Sequence, residues 1–344
     1  MVGLPRLVNG YLLVDEYGAF LGKKHGRVVV RVGGSREEYA LKLIRDVVVA
    51  GRASISSELL KAMAYSGVGL LVTSYTGTPL ARLIPARAGG TFRNRVEQYK
   101  ALEDGRACII ARDLITGKVK NQSSNIKYYS KARAQESEKK ALYEKALLLD
   151  GLIKQLSTYT PGTGRLEECR EKVLSVEAQA AEIYWDGMRV VLGDYGFERR
   201  VKIPEAEDKQ LDTVNTALNI VYNILAGNMW KYVLRFGLDP YAGFLHAERP
   251  GRLSLVYDLI EPFRPLGDRL IASLLRRGVL RPGMQGKEVA IALRSAAYSE
   301  LTEQEMKYKG RKVKLEASMF LLAEEVVSML TGRRSSVSTP FLLW

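Results

Sequence analysis

The spacing of apolar and polar positions changes once along the chain. Up to Ile84 the apolar runs are short, rich in valine and leucine, and bounded by glycine and charged turns. That pattern predicts strands joined by hairpins. Tyr11-Leu12-Leu13-Val14 is followed by a turn at Asp15-Glu16-Tyr17-Gly18 and by Ala19-Phe20-Leu21. A second turn, Lys23-Lys24-His25-Gly26, leads into Arg27–Val32, and Gly33-Gly34-Ser35 ends that run. Ile44–Ala50, Val68–Thr73 and Pro79–Ile84 predict further strands. Ser56–Ala64 predicts one helix, with Ser56 placed to accept from the free N–H groups of the first turn.

Ala88-Gly89-Gly90 reads as a boundary, and beyond it the apolar period moves from two to about 3.6. Phe92–Ala101, Arg106–Lys118, Ser137–Leu156 and Arg165–Val191 predict helices. Leu211, Val214, Leu218, Val221, Tyr222 and Leu225 make one apolar face of another helix. Ser254–Leu275 and Leu315–Leu330 complete the set, and Gly332–Trp344 reads as irregular. The expected fold class is α+β: a small N-terminal mostly β domain over residues 1–87, followed by a larger all-α C-terminal domain over residues 88–344.

Composition narrows the function. With 344 residues, 47% of them hydrophobic and 26% charged, the chain is neither disordered nor fibrous. A net charge of +14 favours polyanionic partners, nucleic acid or an acidic membrane face. Cys108 and Cys169 lack CxxC spacing and are expected as unpaired small residues in a reducing compartment. Two histidines, His25 and His246, exclude a His-rich metal site. The start of the chain lacks the apolar core of a signal peptide. The longest charge-free run, Ala62–Ala81, is broken by Gly67, Gly69, Gly77 and Pro79, so it does not read as a membrane span. A cytoplasmic location is expected.

Glu177 has Val173, Ala181 and Tyr184 as helical neighbours. A carboxylate on that face requires a cationic partner if it is buried, and otherwise faces water with Glu182. His246 follows the turn residues Asp239, Pro240 and Gly243. Asp258 and Glu261 lie three apart, on one helix face. Joined with Glu177, these carboxylates and one imidazole would suit Mn2+ or Mg2+. The same residues also suit a solvated face, or ion pairs with Arg264 and Arg269. The repeat Asn215, Asn219, Asn223 reads as a polar face packed on a neighbour or as a phosphate-facing surface. Basic residues interleaved with Tyr128 and Tyr129 suit nucleic-acid contact. Arg112, Lys118, Lys120, Lys127, Lys131, Arg264, Arg276 and Arg277 are the expected DNA-binding set, and Lys307–Lys314 adds another basic run. No phosphate loop, dinucleotide fingerprint, HExxH or zinc spacing is present.

Four strings occur in order: Glu177-x-x-x-Ala181-x-x-Tyr184-Trp185; Asp212-x-x-Asn215-x-x-Leu218-Asn219-x-x-Tyr222; Asp239-Pro240-x-x-Gly243-Phe244-Leu245-His246; and Ser254-Leu255-x-x-Asp258-Leu259-x-Glu261-x-Phe263-Arg264-Pro265. Together they resemble the CRISPR-associated spacer-acquisition integrase and endonuclease, the Cas1 family. Leu12–Gly22, Gly51-Arg52-Ala53-x-Ile55-Ser56 and Gly67–Leu71 resemble its β-domain. The resemblance implies a homodimer joined through that β-domain, a small Cas2 partner, and a catalytic centre of Glu177, His246, Glu261 and Asp258. It implies Mn2+ or Mg2+ held by Glu177, His246 and Glu261, with Asp258 in support. The implied activity is metal-dependent cleavage and joining of DNA, by attack of a 3′-OH on a phosphodiester. The alternatives are a non-catalytic basic DNA-binding scaffold and an RNA-processing nuclease. Pro262 departs from the family pattern and is expected to disturb the helix at Glu261.

Overall fold

Parallel strands covered on both faces need continuous apolar runs, and the N-terminal part of the chain is built on three of them. The computed structural model describes residues 5–86, 91–160, 166–202, 211–246 and 249–342; the Ala88-Gly89-Gly90 boundary lies outside the described residues. The first elements are β1 (Arg6–Val8), β2 (Tyr11–Val14), β3 (Ala19–Lys24), β4 (Arg27–Val32), β5 (Ser35–Ala40), β6 (Asp46–Val49), β7 (Ala53–Ile55), α1 (Ser57–Ser66), β8 (Gly69–Thr73) and β9 (Pro79–Leu83). One sheet runs β1-β2-β6-β8-β9, the other β5-β4-β3-β7. Strands β2, β6 and β8 pair in parallel at the centre of the first sheet. Their alternate residues divide between two cores. Tyr11, Leu13, Val48 and Leu71 join the core of the helical part. Leu12, Val14, Val47, Val49 and Leu70 pack instead against the second sheet and α1. Ser56 caps α1 as expected, its Oγ accepting from Leu59 N–H at 3.2 Å. Strand β5, Ser-Arg-Glu-Glu-Tyr-Ala, has no apolar alternation and forms as an edge through its antiparallel pairing with β4.

The helical part comprises α2 (Phe92–Ala101), α3 (Arg106–Ala132), α4 (Glu136–Thr158), α5 (Leu166–Leu192), α6 (Thr213–Arg235), α7 (Ser254–Ile260), α8 (Arg264–Arg276), α9 (Gly286–Glu303) and α10 (Leu315–Leu330). The expected order, β-rich first and helical second, is what the chain adopts. Three features differ from the sequence expectation. Helix α9 is not among the expected elements. The disturbance expected at Pro262 is present: a 3₁₀ turn, Glu261–Phe263, divides the helix expected over Ser254–Leu275, because Pro262 has no N–H for the α-helical ladder. The basic run Lys307–Lys314 is a hairpin of β10 (Glu305–Tyr308) and β11 (Arg311–Lys314), so the C-terminal part is not purely helical. Its turn residues Lys309 and Gly310 both have positive φ, the geometry of the tightest hairpin loops. The tail, expected to be irregular, adds β12 (Phe341–Leu342) to the other side of β10.

The β-rich and helical parts interlock. Arg82 pairs with Asp46 inside the sheet and donates to Gly227 O on α6 at 3.0 Å. Arg294 on α9 pairs with Asp15 and reaches Tyr75 O. The asparagine repeat is structural: Asn215 and Asn219 hold Arg200, and Asn223 donates to Thr78 Oγ1 at 3.1 Å. Cys108 and Cys169, expected as unpaired, are joined in a disulfide with Cα atoms 6.0 Å apart. Packing of α3 against α5 brings these distant positions together, a proximity that their spacing does not reveal. No helix among the described residues is long and apolar enough to cross a membrane.

Candidate active site: two carboxylates around a buried ammonium

Helix α5 buries Val173, Val176, Ala180 and Tyr184, leaving Glu177 at the margin of that face. Across from it, α3 presents Lys118, and the turn after α7 presents Glu261. The Lys118 ammonium pairs with Glu177 and stands 2.8 Å from Glu261 Oε2. Arg264 closes on the other oxygen of Glu261 at 3.0 Å. Its guanidinium lies 4.7 Å from the centre of the Tyr222 ring. Two cations thus face two carboxylates. Burial by itself pushes the Glu261 carboxyl up, but Arg264, Lys118 and His246 together outweigh it and bring it down to about 2. Burial pulls Lys118 down, and Glu261 and Glu177 more than reverse that. Both groups are charged at neutral pH.

His246 is aimed by a separate scaffold. Gln98 on α2 donates to Asp239 O at 2.9 Å and Ala242 O at 2.8 Å, fixing the Asp239-Pro240 turn. Arg170 on α5 donates to Gly243 O at 2.7 Å and Phe244 O at 3.0 Å. Gly243 is required by space: a Cβ there would lie 2.8 Å from Asp258 Oδ2. Asp258 Oδ2 accepts from Phe244 N–H at 2.7 Å and Leu245 N–H at 2.9 Å. Its Oδ1 contacts His246 N at 3.2 Å and His246 Nδ1 at 2.6 Å. Both Asp258 oxygens are therefore committed. Asp258, expected in the catalytic centre in support of the metal ligands, is placed to accept from His246 Nδ1 and so to orient the ring. Asp258 and Glu261 meet different partners, His246 for the first and Lys118 with Arg264 for the second. The His246 and Glu177 side chains stay 24% and 25% exposed, so the centre opens to solvent on their side.

Beneath Arg264 lies a polar layer that residue spacing does not single out. Asp268 on α8 is buried and accepts from Tyr184 OH at 2.8 Å and from Tyr222 OH. Tyr184 and Tyr222 both belong to the ordered strings, so these motifs meet at one carboxyl. Burial raises the Asp268 carboxyl to about 6, against the opposing pull of the two hydroxyls and of Arg200 and Arg264. Between its ordinary value and about 6, the native state holds a proton that the unfolded chain has lost. Stability should therefore fall as pH rises through that window, by on the order of 2 kcal/mol from this group. Urea denaturation from pH 4 to 7 should show this slope in the parent and lose it in Asp268→Asn; an unchanged slope would exclude Asp268 as its source.

Beside the centre is a cavity of about 350 Å3 lined by Arg200, Lys202, Arg264, Tyr222, Tyr257 and Thr78, among others. Arg200 is held by neutral acceptors, Asn215 Oδ1 at 2.9 Å and Asn219 Oδ1 at 2.6 Å. Burial, with repulsion from Arg264, lowers both Arg200 and Lys202. Such a cationic concavity favours an anion.

The expected DNA-binding residues separate into three groups. Lys118 and Arg264 face the carboxylates, and Lys118 is too buried to serve as a surface contact. Arg112, Lys127 and Arg277 pair with Asp113, Asp150 and Glu300 at 2.7, 2.6 and 2.7 Å. Lys120, Lys131 and Arg276 are exposed. No sequence signal distinguishes these groups, because partner choice depends on packing between helices.

Among the described residues, no three His, Cys, Asp or Glu side chains are arranged to hold an ion together. The chemistry of the donor set nevertheless fits a hard divalent cation. Two carboxylates already hold a positive charge between them, Glu261 Oε2 is buried against that ammonium, and the imidazole of His246 offers a further nitrogen. The Lys118 ammonium stands in for that cation.

The family profile described as "CRISPR associated protein Cas1" matches residues 12–305. A CRISPR-associated endonuclease Cas1 of Korarchaeum cryptofilum (strain OPF8) is 43% identical over 340 residues, covering 97% of this chain and 98% of the relative. Among solved structures, a casposase bound to integration product superposes with a TM-score of 0.73 at 20% identity, over 95% of this chain and 92% of that one. A chain of a Cas6-RT-Cas1–Cas2 complex gives 0.70 at 14% identity, over all of this chain and 37% of that one. The structural likenesses concern the fold alone. The profile match and the near-full-length identity establish that the chain belongs to the Cas1 family.

Proposed function

We propose that the chain is a metal-dependent DNA endonuclease and integrase of CRISPR adaptation. It would join short duplex DNA into the repeat array by attack of a 3′-OH on a phosphodiester. The observation that carries the reading is the convergence of Glu177 and Glu261 on one cationic position, with His246, oriented by Asp258, close enough to act on the Glu261 charge. Glu177, Glu261 and His246 Nε2 would hold Mn2+ or Mg2+. When bound, that ion supplies Lewis-acid polarisation of a phosphodiester oxygen and lowers the pKa of the attacking hydroxyl or water. Asp258 orients the His246 ring by accepting from Nδ1. Arg264 neutralises Glu261 on the side away from Lys118. Arg200 and Lys202 hold strand phosphates in the adjoining cavity, and Lys120, Lys131 and Arg276 hold backbone further out. Affinity then falls steeply with salt. No side-chain nucleophile is needed. The working assembly is a homodimer with a Cas2 partner. Family membership supports that assembly, as does the pairing of Cas1 with Cas2 in the related solved complex.

The test is Mn2+-dependent cleavage and joining of branched DNA, with single-stranded RNA as a parallel substrate. The parent should act on DNA, and Glu177→Ala and His246→Ala should each lose at least ~100-fold. Full activity in both variants, or DNA binding with no reaction in the parent, would leave only a scaffold. Preference for RNA would favour the RNA-processing alternative.

A further inference from the structure

The chain after α10 runs back along α3 and reaches the turn that carries Glu261. Val337 N–H donates to Asp113 Oδ2 at 2.8 Å. Thr339 lies against Gly117, where a Cβ would come within 2.6 Å of Thr339 Cβ, so only glycine admits the tail. Asn121 then uses its whole amide. Its Nδ2 donates to Pro340 O at 3.1 Å and to Pro262 O at 2.7 Å, and its Oδ1 accepts from Leu342 N–H at 2.9 Å. Asp113, Gly117 and Asn121 are spaced by four, one stripe along α3 rising ~6 Å per step. Two extended residues advance ~6.6 Å, which lets Val337 and Thr339 meet successive steps. Asn121 is fully buried, and Lys118 lies on the turn of α3 between Gly117 and Asn121.

We propose that Asn121 and the C-terminal strand form a strap that positions Glu261. Pro262 O belongs to the residue after Glu261, so the Asn121 amide fixes the turn from which the Glu261 carboxylate reaches Lys118. The tail completes the other half of that amide and holds its orientation. Without the tail, Asn121 has a buried donor and acceptor unmet and is free to turn away from Pro262. Asn121 is a positioning residue, because it touches neither carboxylate. The proposed role rests on Glu261 belonging to the catalytic centre, but the geometric tie can be measured without catalysis.

Two full-length variants cut the strap at different ends. Asn121→Asp keeps an acceptor for Leu342 N–H and loses the donor to Pro262 O; the second replaces Pro340-Phe341-Leu342 with Gly-Ser-Gly. Each should lower kcat on branched DNA with Mn2+ by at least ~10-fold while KM moves less than ~2-fold. The combination should lose no more than the worse single variant, because the two changes break one connection. Hydrogen–deuterium exchange without metal should show faster exchange over residues 259–265 in both, with exchange in β2, β6 and β8 unchanged. Multiplying kcat losses, or unaltered protection of 259–265 in both variants, would overturn the strap. An inactive parent with the exchange pattern as expected would instead overturn the catalytic reading and leave the tie standing.

Discussion

Glu261→Gln should cost the chain both its activity and a measurable part of its stability. Glutamine keeps the shape and removes the charge that faces Lys118 and Arg264. The site is 2% exposed, so water cannot make up the loss. Removing one member of a buried ionic group typically costs ~3–5 kcal/mol, because the remaining charges stay desolvated. Glu177 still answers Lys118, which places the expected loss near ~3 kcal/mol, a fall of several degrees in Tm. DNA cleavage should drop by at least ~100-fold. The stability difference has a definite pH signature. The native Glu261 carboxyl lies at about 2, below its ordinary value of 4.5. Its contribution is therefore complete above the ordinary value and lost as pH falls through the native one. Parent and variant melting curves should be furthest apart at neutral pH and converge in acid. Glu261→Asp, which keeps the charge, should retain most of the stability. Coincident melting curves at pH 7 would refute the placement of Glu261 between two cations.

Asp258→Asn should disorder the histidine without touching the carboxylate pair. The aspartate meets only donors: three backbone N–H groups and His246 Nδ1. An asparagine amide must turn its own NH2 toward some of them, which leaves buried donors facing a donor. The expected loss is ~2–4 kcal/mol. His246 then faces either the amide oxygen or the amide NH2, so the Nδ1-protonated form is no longer selected. Loss of such an orienting partner typically lowers metal affinity or activity by ~10- to 100-fold. Imidazole nitrogen NMR should show one tautomer in the parent and a mixture in the variant, alongside weaker Mn2+ binding by calorimetry. A single unchanged tautomer with cleavage within ~2-fold of the parent would remove Asp258 from the mechanism.

Residue patterns alone carry much of this. The switch from a period of two to one near 3.6 locates the two parts, and the ordered strings pick out Glu177, His246, Asp258 and Glu261. Ser56 reads directly as a helix cap, its Oγ accepting from Leu59 N–H at 3.2 Å. The Asp-Pro-x-x-Gly string reads as a turn. These features are local, and local sequence states them. Lys118 departs from expectation for the opposite reason. A lysine among basic residues on a helix looks like a surface charge, and only the approach of α5 and the 3₁₀ turn makes it a buried counter-ion. The Cys108–Cys169 pair, the Asp268 layer under Tyr184 and Tyr222, and the cationic cavity at Arg200 depend equally on which helices meet.

The amino-acid order by itself determined the class of most elements, the order of a β-rich part before a helical one, the basic character of the chain and the identity of the acidic and imidazole groups. Those follow from periodicity, capping and composition, which act over a few residues at a time. Tertiary structure decided which charge answers which, that Asp258 serves His246 rather than the carboxylate pair, and that the last strand reaches the turn holding Glu261. Burial makes these pairings strong and selective, and burial is a property of the packed chain, not of any segment within it.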